Sequence, residues 1–287
     1  ASLWNAAGCE VTLLIRKDRV LSTWERRASM TLTRELKRRG VNVIARTAVD
    51  RVDTGANLGA TVHYRQGDSD EDRTAYGEVV LAAIGRVPNT DADWFRSSGL
   101  KLDERGYVTV DGYGRTNLDG VWALGDITPG HALAHRAFEQ GITIAEKIAG
   151  ADPKPVIDDT VPQVVFSFPE AASVGLTLDQ AKALEDVVEP KETAYPMLSN
   201  ARMLMSGEGG SMTVVSGAFA NNPDMQVVLG VHIVSPIASD LIAEAEQLVG
   251  NRVPLADAAR LIHPHPTFSE TLGEALLKAD GRPLHTR

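Results

Sequence analysis

Between Cys9 and Ile44 the chain runs through an apolar stretch of strand length, an amphipathic helix and a second apolar stretch, a grammar few folds satisfy. Cys9-Glu10-Val11-Thr12-Leu13-Leu14-Ile15 is mostly apolar, as in a strand covered on both faces of a parallel sheet. Met30, Leu32 and Leu36 then supply the apolar positions of a helix, Gly40 stops it, and Val41-Asn42-Val43-Ile44 reads as the next strand. A βαβ unit of this kind predicts a parallel sheet and an α/β fold. Upstream, residues 1–7 read as the end of a helix with Gly8 as its C-cap. With no initiator Met and no helix start signal, the chain is expected to be cut rather than begun.

Beyond this unit, residues 60–65 and 78–84 are strand-like and flank an acidic, Gly-containing loop at 66–73, predicting a small strand excursion. Arg86-Val87-Pro88-Asn89 breaks the second run, Asp103-Glu104-Arg105-Gly106 makes a turn, and residues 121–126 form a short apolar strand ending on a carboxylate. A long helix is predicted from about Ala132 to Ile148, closed by Gly150, before the linker Ala151-Asp152-Pro153-Lys154-Pro155. The final third reads as α+β. Residues 164–168 are a strand, and Thr177 with Gln180 makes a capping box. Residues 212–215 pair with 227–234 across Asn221-Asn222-Pro223-Asp224, and Leu241, Ile242, Ala245, Leu248 and Val249 recur at helical spacing before Gly250.

At 287 residues and 43% hydrophobic, the chain can bury a sizeable core in two domains, or in one large domain with an appended module. A net charge of -9 argues against a nucleic-acid partner, because phosphate binding needs clustered Lys and Arg in excess. The one basic run, from Arg34 to Arg39, includes Glu35 and is expected to be a solvated helix face. No apolar run approaches membrane length. The single cysteine, Cys9, excludes an intrachain disulfide, favours a cytoplasmic setting, and is expected to be a buried structural residue.

Chemistry concentrates in His263-Pro264-His265-Pro266-Thr267-Phe268-Ser269-Glu270, where an imidazole and a carboxylate lie five residues apart. Imidazole titrates near neutrality, and a carboxylate on one ring nitrogen fixes its tautomer and raises its basicity. Such a dyad needs a thiol or hydroxyl to deprotonate, and Cys9 lies at the opposite end of the sequence. His263 reads as a hydrogen-bonded structural residue. A metal site built from it and His265 lacks third and fourth ligands nearby. The second signal is Gly125-Asp126: Gly125 permits close approach and Asp126 can accept from a sugar or ribityl hydroxyl, the alternative being a turn or helix-cap aspartate.

Five ordered motifs carry a resemblance over essentially the whole chain. They are Ala83-Ile84-Gly85-Arg86-Val87-Pro88-Asn89, residues 116–126, Leu133-Ala134-His135, Pro169-Glu170-Ala171-Ala172-Ser173-Val174-Gly175-Leu176-Thr177, and residues 265–270. Together they resemble the FAD-dependent pyridine nucleotide-disulfide oxidoreductases, and within them the dihydrolipoamide dehydrogenase branch. The resemblance implies a partial Rossmann-like NAD(P) domain at 1–86, a central, FAD-contacting return segment at 87–155, and an α+β dimerisation (interface) domain at 156–287. It implies a homodimer that passes electrons between a dithiol or redox-active disulfide, FAD and NAD(P). Aligned so, the chain would start within the NAD domain, lacking the N-terminal FAD domain, both dinucleotide fingerprints and the Cys-x-x-x-x-Cys pair, and would be inactive alone.

The resemblance makes His265 the thiol base and Glu270 its orienter, both reaching the other subunit's cysteine pair. It assigns Asp126 to the flavin ribityl chain. Ala132, Leu133, Ala134 and His135 would approach the flavin ring at a helix start, although His135 reads equally as an ordinary helix residue. Gly85 and Val49 match positions near the nicotinamide nucleotide, and either could equally be core. Where NAD-specific members carry an acidic residue, Ile15 stands, followed by Arg16 and Lys17, a pattern suited to a 2′-phosphate. Ser22 replaces a third basic residue expected in the NADPH-using branch, and solvated loop charges are the alternative, so NAD or NADP stays open. The substrate implied is a small dithiol of the lipoamide type, with a 2-oxo acid dehydrogenase complex as a partner the resemblance allows. The rival readings are an NADPH-dependent reductase of another low-molecular-weight disulfide and a non-catalytic dimerisation fragment.

Overall fold

The computed structural model describes residues 1–55 and 59–286. They fall into two compact units, Ala1–Leu81 with Pro162–Arg287, and Ala82–Val161.

In the first unit, α1 (Ser2–Ala6) ends before Gly8, whose φ of 87° is the left-handed turn that only glycine takes without strain. Strand β1 (Thr12–Ile15) follows, then α2 (Arg26–Arg38), then β2 (Asn42–Ala45), which pairs parallel with β1 from Thr12↔Asn42 to Ile15↔Ala45. The βαβ reading holds, with a shorter first strand. Pairing starts only at Thr12, so Cys9 is exposed rather than buried. Glu25 caps α2 by accepting from the N–H groups of Arg27 and Ala28. Ala28, Leu32 and Leu36 form the helix's buried apolar stripe, whereas Met30, expected there, is 53% exposed because it projects from the opposite side. The basic run is not simply a solvated face. Arg34 and Arg38 pair with buried Glu35, and Arg38 and Arg39 reach Glu208.

Strands β3 (Thr47–Thr54), β4 (Ala60–Gln66) and β5 (Arg73–Gly77) make an antiparallel sheet in that order. The strand expected at 78–84 is absent and those residues are exposed. β5 instead occupies 73–77, and its pairing runs from Tyr64↔Arg73 to Ala60↔Gly77, so β4 offers no partner past Gly77.

In the second unit, Phe95 of α3 (Asp93–Ser97) packs in a small core with Val108 and Ala123. Asp103 and Asp111 each turn the chain by accepting two backbone N–H groups, from Arg105 and Tyr107 and from Tyr113 and Arg115. Residues 121–124 are not the strand expected. Their only ladder contact is the isolated bridge Arg115↔Trp122, and Gly125–Ile127 closes into a 3-10 turn. The long helix is α4 (Ala134–Ile148), ending before Gly150 at φ 85°.

The remainder of the first unit is an antiparallel five-stranded sheet with its helices. In chain order come β6 (Gln163–Val165), β7 (Glu170–Gly175), α5 (Leu178–Ala183), β8 (Val187–Pro196), α6 (Ala201–Ser206), β9 (Ser211–Phe219) and β10 (Asn222–Ser235). They are followed by α7 (Ala238–Gly250), α8 (Leu255–Ala258) and α9 (Glu270–Ala279). The spatial order is β6-β7-β10-β9-β8. The hairpin and the Thr177–Gln180 capping box form as read, but the chain turns at Ala220 and Asn221, so Asn222, Pro223 and Asp224, expected in the turn, open β10, and the strand expected at 164–168 stops at Val165. Alternation along β10 divides the sheet's faces: Val231 and Ile233 join the core with α7, α8 and α9, while Val234 joins Ala171 against Leu32 and Leu36 of α2. The sheet is thus covered on both sides. No helix among the described residues is long and apolar enough to cross a membrane.

Candidate active site

The imidazole and carboxylate read from the sequence meet. His265 Nδ1 lies 2.8 Å from Glu270 Oε1, and the other carboxylate oxygen accepts the Thr267 N–H at 2.8 Å. Glu270 is the first residue of α9, and no side chain caps that helix, so its carboxylate also faces the positive end of the helix dipole. Burial works against ionising Glu270, but the Thr267 N–H, the hydrogen bond and charge of His265, and the charge of His263 outweigh it and hold its pKa below the usual carboxylate range. The His265 side chain is 74% exposed against 22% for Glu270. With Nδ1–H donating to the carboxylate, Nε2 keeps its lone pair for an external proton. Asn200, unnoticed in the sequence, caps α6 through its Oδ1 and donates from Nδ2 to the Thr267 carbonyl at 3.0 Å, fastening the same loop.

His263 points the other way. Its Nε2 is 2.8 Å from Glu244 Oε1 on α7, which agrees with its reading as a hydrogen-bonded structural residue. Glu244, 19 positions upstream, carried no signal in the sequence beyond its place in a helical pattern.

In the unit Ala82–Val161, Asp126 sits in the 3-10 turn beside Gly125, whose φ is 74°. The Asp126 carboxylate lies 3.2 Å from Arg86 Nη1, and both side chains are exposed, so water competes strongly and the pair is easily exchanged for another partner. Ala132, Leu133, Ala134 and His135 enter α4, whose N-terminus has Leu133 at its cap and no capping side chain. A helix start of this kind suits an anionic or carbonyl acceptor. Gly85 is exposed with φ 143°.

In the other unit, Arg16 and Lys17 are exposed at the carboxyl end of β1, where open α/β sheets bind ligands, and Val49 is 52% exposed on β3.

Residues 1–141 match the pyridine nucleotide-disulphide oxidoreductase family and residues 161–276 its dimerisation domain. The chain is 37% identical over 286 residues to a dihydrolipoyl dehydrogenase of Cupriavidus necator, covering 99% of this chain and 58% of that protein. It is 36% identical over 283 residues to a dihydrolipoyl dehydrogenase of Geobacillus stearothermophilus, covering 97% and 57%. Among solved structures, LpdA from Mycobacterium tuberculosis superposes with a TM-score of 0.84 at 29% identity, over 97% of this chain and 58% of that one. The HOCl-induced flavoprotein disulfide reductase RclA from Escherichia coli shares the fold, with a TM-score of 0.82 at 23% identity over 96% of this chain and 60% of that one. The chain therefore spans a little under three-fifths of the curated relatives' length. An imidazole paired with a carboxylate at the head of α9, on a sheet matching that dimerisation domain, agrees with these matches, and the chain belongs to the pyridine nucleotide-disulphide oxidoreductases.

Proposed function

We propose that this chain serves a dihydrolipoyl dehydrogenase-type oxidation of a small dithiol, with His265 as the base and Glu270 as its orienter. The observation that carries the reading is the 2.8 Å bond from His265 Nδ1 to Glu270 Oε1 beneath an exposed ring. Thiolate, not thiol, attacks a disulfide. His265 Nε2 takes the thiol proton, and the ionised Glu270 stabilises the imidazolium. The new thiolate attacks one disulfide sulfur and the other leaves as thiolate. A second exchange closes the substrate's disulfide, so two electrons pass to the receiving pair. With one cysteine, this chain cannot supply that pair internally. Its source is proposed to be an N-terminal FAD domain carrying a Cys-x-x-x-x-Cys pair in the other subunit of a homodimer of the longer protein, because an isologous interface can bring one subunit's base to its partner's disulfide.

The family uses FAD and NAD(P), and the residues present fit both. Asp126 would accept a ribityl hydroxyl, and the start of α4, from Ala132 through His135, would lie against the ring system. Within the first unit, Val49 would approach the nicotinamide nucleotide, and Arg16 and Lys17 its ribose. When bound, the flavin supplies two-electron transfer between the disulfide and the nicotinamide. Residues 1–86, 87–155 and 156–287 would be the NAD(P), FAD-contacting and interface portions, in a cytoplasmic enzyme able to serve a 2-oxo acid dehydrogenase complex.

A second reading, an NADPH-dependent reductase of another small disulfide, is favoured by Arg16 and Lys17 following Ile15. The test is turnover in the flavin-loaded holoenzyme of the longer protein, which includes the cysteine-bearing N-terminal domain. His265→Gln should lower lipoamide-dependent rates by about 10²–10⁴-fold while sparing electron transfer from nicotinamide to a dye that needs no thiol base. An unchanged lipoamide rate refutes the assignment, and a preference for NADPH with a glutathione-type disulfide selects the second reading.

A further inference from the structure

The loop bearing His265 is fastened on its C-terminal side through Thr267, which Asn200 and Glu270 both hold. Its N-terminal side is seated by one part-buried side chain. From Arg260 to Pro266 every residue is exposed except His263, whose side chain is 8% exposed. His263 donates from Nε2 to Glu244 on α7 at 2.8 Å. Its ring also lies against Gly273 of α9, where a Cβ would come within 2.5 Å of Nδ1 and 2.9 Å of Cε1. Gly273 therefore makes the notch that admits the ring, and Glu270, one turn earlier on the same helix, holds His265.

We propose that the His263–Glu244 pair, seated on Gly273, is a positioning device that fixes the His265–Glu270 dyad. The inference rests on the thiol-base reading above for its purpose. Its physical basis is that residues 260–269 belong to no helix or strand, and a proton-transfer group loses rate steeply when displaced by as little as 1 Å. One pair on the buried side of the loop and one on its exposed side leave the intervening proline little freedom. The titratable groups acting on His263 reinforce the arrangement. The hydrogen bond from Glu244 raises the imidazole pKa, burial opposes it, and the charges of Glu244 and Glu270 add to the rise. A protonated His263 is in turn among the groups that favour an ionised Glu270.

The test compares Glu244→Gln and Gly273→Ala with the parent chain, and reads the loop independently of turnover. In the 287-residue protein, NMR should show faster Thr267 amide exchange, by about tenfold, and displaced His265 ring resonances in both variants. In the flavin-loaded holoenzyme, both should lower kcat by about tenfold with KM little changed, and should shift the acid limb of the pH profile. Glu244→Asp, which retains the charge, should recover part of the loss. Thr267 exchange, His265 ring resonances and the pH profile all matching the parent in Glu244→Gln and Gly273→Ala would overturn the proposal. A loosened loop in these variants, combined with lipoamide turnover that survives His265→Gln, would support the anchor and refute the thiol chemistry.

Discussion

At the scale of single residues, the pairing of His265 with Glu270 was legible because the two lie close in sequence and only the first turn of α9 separates coil from helix there. Glu244 and Asn200 were not legible. Their partners in the loop stand 19 and 67 positions away, and only the packing of α7 and α6 against the sheet's covering layer brings them to it. The ionised Glu270 has a consequence for acid stability. Its folded pKa lies below its unfolded value, so its contribution is complete above the unfolded value near 4.5 and is lost as pH falls through the folded one. Glu270→Gln should therefore show a shallower loss of stability than the parent between about pH 5 and about pH 3 in urea titrations. At neutral pH the same variant should lower lipoamide turnover by roughly 10- to 100-fold, since the imidazolium loses its counter-charge while the ring keeps an acceptor.

Among the elements, β7 and β10 are the most tightly specified pair. Gly175 stands opposite Gly230, and a Cβ on either would collide with backbone, the Leu229 carbonyl in one case and the Leu176 carbonyl in the other. Gly230→Ala should cost about 1–3 kcal/mol in urea unfolding, and Gly175→Ala more, because its φ of 79° adds left-handed strain. Two register positions along, His232 is buried opposite Ser173. It accepts from the Ser173 hydroxyl at 2.7 Å and donates to the Leu176 carbonyl at 3.2 Å. Burial pushes its pKa down, against the pull of the Glu25 carboxylate and the Leu176 carbonyl. The unfolded chain therefore binds this proton first, and stability should fall as pH drops below about 6.5. His232→Gln should flatten that slope in denaturation measured at about pH 7.5 and about pH 5.5; an equally steep slope would exclude His232 as its source. Sequence periodicity found this hairpin because β9 and β10 are long and apolar. It misplaced the 78–84 strand because apolar residues there have no free ladder beside them, a fact set by the register of β5 on β4.

For the molecule as a whole, the dimerisation match predicts self-association. Sedimentation should show a mass that rises with concentration towards twice the 30.8 kDa chain, and a strictly monomeric boundary would remove the route by which His265 could reach a partner's disulfide. Elements set by local contacts were readable: the βαβ opening, the long α4, the capping box and the α7 periodicity all come from contacts within a few turns, where side-chain spacing and cap chemistry decide the outcome. Five motifs in sequence likewise sufficed to point to the family. What the sequence could not decide was which surfaces face each other. The α2 stripe closes one face of the five-stranded sheet, Arg38 and Arg39 find Glu208 across that junction, and Cys9 is left in solvent where a buried thiol was expected. Those outcomes depend on long-range packing, in which an apolar or charged residue is assigned its environment by elements more than a hundred positions away, and a pattern read along one chain segment carries no information about that assignment.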